Sequence, residues 1–166
     1  MVYERNGVKV SAIEVNHGEK IKPALGYVVE FDGKKVVLSG DTKPDARVEK
    51  AAEGADLLIH EVAMIDPELL KDYPNYRAIA DHHTAPEDAG KIFAQARPKL
   101  AVYSHIVFAT VKLVQDVPED VLIARTRATY QGPLVVGRDL MSFVISDKVE
   151  AFAPDGGRFQ PASGAP

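Results

Sequence analysis

Residues 26–42, GYVVEFDGKKVVLSGDT, hold the strongest structural signal in the chain. The runs 26–31 (GYVVEF) and 34–39 (KKVVLS) are rich in β-formers and are joined by Asp32-Gly33. Asp-Gly between two such runs predicts a tight hairpin, because both turn positions need a positive φ. The second run stops at Ser39-Gly40-Asp41-Thr42, where a glycine lets the backbone turn sharply and point a carboxylate back over the strand ends.

Working outward, Val8–Val15 alternates apolar and polar residues over part of its length and reads as a strand before the hairpin. Residues 44–53 form a short amphipathic helix closed by Gly54. Residues 55–60 (ADLLIH) are a nearly continuous apolar run of strand length, as expected of a strand buried on both faces, with His60 and Glu61 at its end. Residues 66–81 read as a helix broken at Pro74. A better-marked helix follows to about Ala96, with Thr84 as cap, Glu87 completing a capping box and Pro86 in the first turn. Residues 99–104 (KLAVYS) predict a second buried strand, 118–130 a helix, and 134–136 and 140–145 short strands. Strands and helices alternate after residue 40, but the chain opens on a hairpin, so the fold class is α/β with a mixed β-sheet. One domain over residues 1–153 and a flexible Gly/Pro/Ser-rich tail over 154–166 are expected.

Composition narrows the chemistry. There are no cysteines, which excludes disulfides and thiolate ligands and leaves any transition metal to His, Asp and Glu. No apolar run approaches the roughly 18 residues of a spanning helix, and residues 1–10 lack a signal-peptide core. The reading is no membrane partner and, by default, a cytoplasmic protein. The formal net charge is −4 and the basic residues are scattered, which predicts no nucleic-acid partner. No glycine pattern of the phosphate-cradling type is present.

His17, Asp41, His60, the doublet His82-His83 and His105 each fall where a strand runs out or a helix begins. Such positions collect ligands and catalytic groups in α/β folds. Taken singly each has an ordinary reading: His17 as a surface residue, Asp41 as a turn or cap residue, His60 and His105 as hydrogen-bonded structural histidines.

In order along the chain the pattern is more specific. His17 with Gly26-Tyr27, Ser39-Gly40-Asp41-Thr42, Leu58-Ile59-His60-Glu61, the HTAPEDA run at 83–89, and Ser104-His105 together resemble the later motifs of the metallo-β-lactamase superfamily. The likeness is to its ribonuclease Z-like branch and covers roughly residues 1–108. The resemblance implies a metal-dependent hydrolase built as the C-terminal half of an αββα sandwich, with helices on the outer face of the sheet. It implies that His17 completes one metal site, that Asp41 bridges both metals and so acts in catalysis, and that His105 completes the second site. It also implies that His83, 22 residues before His105, assists protonation of the leaving group, with His82 as its neighbour. Zinc is the expected metal, with manganese or iron as alternatives. Two such ions acidify a bridging water, so hydroxide forms at neutral pH and attacks a carbonyl or phosphoryl centre.

The chain departs from the family in two ways. The H-x-H-x-D-H signature is absent, so three matched ligands are divided over two sites, short of the three or four per ion that zinc enzymes use. A sandwich half also leaves an apolar sheet face to be covered by a missing N-terminal half or by a second copy of the chain. Where some ribonuclease Z proteins carry an insertion that reaches for transfer RNA, this chain has only the Asp32-Gly33 turn. With the net acidity, this predicts a small-molecule ester, lactam, lactone or phosphodiester as substrate. A rival reading is a non-catalytic half-fold whose site residues are relics, or a fragment of a full enzyme.

Overall fold

The computed structural model describes residues 1–111 and 118–162. Strands β1 (Tyr3–Arg5), β2 (Val8–Val15), β3 (Ala24–Phe31) and β4 (Lys34–Leu38) form an antiparallel meander. Helix α1 (Ala46–Ala52) leads to β5 (Leu57–Ile65), and α2 (Pro67–Asp72), α3 (Pro74–Ala80) and α4 (Pro86–Ala96) lead to β6 (Leu100–Ala109). Helix α5 (Glu119–Arg127) precedes β7 (Leu134–Val136), and β8 (Ser142–Ile145), β9 (Val149–Phe152) and β10 (Arg158–Phe159) follow. The main sheet has seven strands in sequential order, β1 to β7, parallel from β4 onward. The hairpin forms as expected: Asp32 and Gly33 take φ of 49° and 70°, the conformation that matches the twist of the two strands.

Helices α1, α4 and α5 pack on one face of the sheet. Val48, Ala52, Ile92, Phe93 and Leu122 close there over Val37, Leu58, Val62 and Tyr103, all fully or almost fully buried. Tyr103 keeps its polar end satisfied against Thr126, Oη to Oγ1 at 2.7 Å.

The second face is only partly covered. A separate antiparallel sheet, β8–β9–β10, lies over Leu57, Leu100, Val102 and Val135. Pairing places Val29 opposite Val36 and Val36 opposite Leu57, so β3 presents Leu25, Tyr27 and Phe31 on this same face. Those side chains are 37%, 39% and 53% exposed. The small sheet therefore shields the β5–β7 side, and the β3 side stands open.

Several boundaries differ from expectation, each for a physical reason. Both buried strands run past their histidines, β5 to Ile65 and β6 to Ala109, because the apolar run resumes after the polar residues. The interruption is absorbed by a bulge: Glu61 pairs with Ser104 and Val62 with Ile106, leaving His105 as the extra residue with a φ of 44°. The expected capping box does not form. Ala85 is the N-cap of α4 and gives no side-chain cap, while Glu87 binds Arg125 through both oxygens at 2.6 and 2.9 Å. Thr84 is drawn into tertiary bonds instead, its Oγ1 donating to the Thr42 carbonyl at 2.8 Å. Helix α1 starts two residues later than expected because Asp45 caps it, Oδ1 accepting from Arg47 N at 2.8 Å. In the tail, β10 pairs with β9 and Ala162 bridges to Leu134, while positions 163–166 lie outside the described residues.

Candidate active site

Apart from His60, the polar residues singled out in the sequence meet at one end of the sheet. Asp41 follows β4, Glu61 and His105 sit at the facing bulge of β5 and β6, His17 follows β2, and His82-His83 lie between α3 and α4. The loops that carry them are tied together. Lys43 N donates to the Asn16 carbonyl at 2.7 Å, and Asn16 N donates to Asp45 Oδ2 at 3.0 Å. These bonds fix the His17 loop against the Asp41 loop. Gly40 takes a φ of 63°, and a side chain there would lie 2.2 Å from the Leu25 carbonyl oxygen. Only glycine allows this turn to seat Asp41 so close to β3.

His83 is central. Its ring lies 4.9 Å from that of His17 and 5.5 Å from that of His105, centroid to centroid. Asp41 Oδ2 is 3.4 Å from His105 Nε2. His17 Nδ1 lies 2.9 Å from the His82 carbonyl oxygen, an acceptor only, so Nδ1 carries the proton and Nε2 keeps its lone pair. That is the arrangement by which an outer partner orients a ligand histidine. The sequence thus brings His17, Asp41, His83 and His105 together, whereas His82 contributes its carbonyl and an edge-on ring contact 5.8 Å from His17.

The sequence reading left Glu61 without a role, and the structure gives it one. Its carboxyl is buried, with Oε2 3.0 Å from His83 Nδ1 and Oε1 accepting from Thr84 N at 2.7 Å. Ser39 Oγ accepts from Glu61 N at 3.0 Å and holds its backbone. Burial pushes the Glu61 carboxyl up to about 8, with Asp41 adding to the rise. Burial and the neighbouring His17 hold His83 below the usual histidine value. Both shifts run toward the neutral forms, as burial of the pair requires. A carboxylate standing inside an apolar run with no cation beside it in sequence was the available signal.

The donor set can be weighed against a metal. Imidazole and carboxylate suit zinc, manganese or iron. Among the described residues, however, no three His, Asp or Glu side chains converge as a coordinating group. Donor type fits and donor number falls short of a full coordination shell.

His60 stands apart from this cluster. It is fully buried beside Phe93, with Nδ1 donating to the Glu61 carbonyl at 2.7 Å and Nε2 without a partner. Burial lowers it to about 4. The unfolded chain takes up a proton here below about pH 6.5 that the folded chain refuses, so stability falls as pH drops from 6.5 toward 4. The expected loss is roughly 3 kcal/mol across that window. Urea unfolding at both ends of the window should show the parent losing this much relative to His60→Gln; a difference between the two that does not change with pH would remove His60 as the cause.

The comparisons agree on the family. The β-lactamase superfamily domain model matches residues 2–106. Ribonuclease Z from Mycobacterium marinum is 31% identical over 141 residues, which are 84% of this chain and 48% of that protein. The chain therefore spans about half the length of the relatives it matches. Among solved structures, the metallo-β-lactamase fold protein YhfI from Bacillus subtilis superposes with a TM-score of 0.61 at 16% identity, over 82% of this chain and 49% of that one. Zn²⁺-bound PqqB from Methylobacterium extorquens superposes with a TM-score of 0.51 at 18% identity, over 80% of this chain and 45% of that one. At these identities the likeness to both structures is one of fold.

One expectation is overturned. A small-molecule substrate and no nucleic-acid partner were expected from the net charge and the short hairpin, yet the sequence relatives are named ribonuclease Z. Net charge sums over a whole surface, whereas a phosphodiester at a metal site is held by a few local groups that the sum does not register. Among the described residues no helix is long and apolar enough to cross a membrane. The mixed sheet, the helices on one face and the family match place this chain in the metallo-β-lactamase superfamily, with relatives in sequence that are named ribonuclease Z.

Proposed function

We propose that the chain supplies the C-terminal part of a metal-dependent phosphodiesterase that hydrolyses RNA. The observation that carries this is the convergence of His17, Asp41, His83 and His105 at the strand ends, with His83 backed by the buried Glu61. His17 and His105 would each hold one metal, and Asp41 would serve both. When bound, the metals supply a hydroxide nucleophile and offset charge on the phosphoryl oxygens.

The residues of this chain then have defined tasks. The His82 carbonyl fixes the His17 tautomer and keeps Nε2 free to coordinate. Asp41 would bring negative charge to two cations that otherwise repel one another. His83 delivers a proton to the departing ribose oxygen, and Glu61 orients its ring through Nδ1. The remaining ligands would come from additional chain of the kind the longer relatives possess, which would also cover the open face at Leu25, Tyr27 and Phe31.

Cleavage of an RNA with an unpaired 3′ tail, assayed with the chain alone and with the other half of a ribonuclease Z relative added, tests this. Chelator-sensitive cleavage is expected with both parts and little or none with the chain alone. Robust turnover by the chain alone would show a complete site, and no cleavage in either case would remove the proposed activity.

A further inference from the structure

A second cavity, of about 390 Å³, adjoins the one at Asp41 and shares Ile59, Ser104 and His105 with it. Its far wall is the turn between β7 and β8. That turn is fastened to the strand that carries His105: Gly137 N donates to the Tyr103 carbonyl at 2.9 Å, and a side chain at Gly137 would come within 2.3 Å of the same oxygen. Met141 N closes the turn on the Arg138 carbonyl at 3.3 Å, and Leu140, with a φ of 63°, stands 86% exposed at its tip. The turn is a fixed projection beside the site.

Arg138 is the one cation among the described residues that line this cavity. Glu119, from the first turn of α5, holds it through a single oxygen, accepting from Nε at 3.3 Å and from Nη2 at 3.1 Å. A guanidinium has five N–H donors, so this leaves donors over. Asp139 adds a carboxylate on the same wall. With donors to spare and no second Lys or Arg on this wall among the described residues, Arg138 suits a single phosphate and not a basic track along a strand.

We infer that Arg138 binds a phosphate of the RNA strand next to the one that is cleaved, and that Glu119 is its resident counter-ion, sharing the guanidinium when RNA is present. The inference rests on the RNA-hydrolase reading above and deepens it. The ion pair alone would be worth little at the surface. Its placement on a turn anchored to the His105 strand is what gives it a role.

The two partners separate binding from structure. Arg138→Gln and Glu119→Gln break the same ion pair, so a role confined to that pair moves both variants the same way, while the Phe159 ring 5.6 Å from the guanidinium is lost to the first variant alone. A binding role moves them in opposite directions. Fluorescence anisotropy of an RNA hairpin with a labelled single-stranded 3′ tail, titrated with the full chain between about 50 and 200 mM salt, reads this out. Arg138→Gln should weaken binding several-fold and lower the salt slope by about 0.7, the value for one phosphate contact on a single strand. Arg138→Lys should keep the slope, and Glu119→Gln should tighten binding. Lys50→Gln, on the exposed side of α1, makes the same charge change as Arg138→Gln and should leave the slope at the parent value. Binding that falls in both Gln variants, or changes in neither, would overturn the inference and leave the RNA reading standing. A parent chain that binds no RNA would overturn the inference and leave the RNA reading to the cleavage assay with both parts.

Discussion

His83→Ala lowers the turnover number of the metal-loaded, complete assembly by about 10²–10⁴-fold while leaving its metal content unchanged. The magnitude is that of a positioned proton donor. The unchanged metal content follows because His83 Nδ1 is engaged by Glu61, and His83 sits between His17 and His105 without taking either one's place. Glu61→Gln should fall less, because glutamine keeps an acceptor for Thr84 N and a partner for the ring. Its KM should stay near that of the parent and its pH profile should move, since the group that rises to about 8 is gone. The same variant carries a stability signature. The folded carboxyl is raised above its unfolded value of about 4.5, so its contribution is greatest below that pH and is lost as pH rises through 8. The parent should therefore weaken relative to Glu61→Gln on the alkaline side. Turnover and metal content determined on the same samples decide the role of His83. Loss of metal in His83→Ala would make it a ligand and not a proton donor.

The parts of this fold that were legible in the sequence are those fixed by local chemistry. Asp32-Gly33 demands two positive φ values in succession, and almost nothing but a tight hairpin provides them. The break at Pro74 divides α2 from α3 because proline cannot continue the first helix but opens the second readily. The parts that were not legible are set by partners distant in sequence. His105 is a bulge residue only because β5 offers Glu61 and Val62 opposite Ser104 and Ile106, and no window around His105 contains that count. Thr84 carries every local mark of a helix cap, yet the Thr42 carbonyl and the Glu61 carboxyl take its groups. Glu87 likewise finds Arg125, 38 residues away, in place of its own helix end.

The site shows the same division. Residues at strand ends and loop starts announced themselves as His17, Asp41, His83 and His105. Glu61 did not, because its role comes from burial and from facing His83 across the sheet end. The substrate class was misjudged for a related reason. Charge averaged over the chain says nothing of how single charges are placed, and the relatives in sequence are named ribonuclease Z.

Asp41→Asn bears most directly on the central claim, that this chain carries part of a two-metal hydrolytic site. Each histidine would give one ion a neutral nitrogen, whereas the Asp41 carboxylate would give charge to both. Asparagine preserves the shape and one oxygen but removes the charge that offsets cation–cation repulsion, so both ions should loosen together. A residue that merely shaped the turn after β4 would tolerate asparagine almost as well as aspartate. The measurement is a zinc titration of the metal-free chain, run in parallel on the parent, Asp41→Asn, His17→Ala, His105→Ala and His83→Ala. The account predicts weak binding by the parent, intermediate losses in His17→Ala and His105→Ala, and no loss in His83→Ala. It predicts the largest loss in Asp41→Asn, beyond the roughly 10–100-fold that removal of an outer-shell partner costs. A parent that binds no zinc, or an Asp41→Asn variant that binds it as the parent does, would contradict the account.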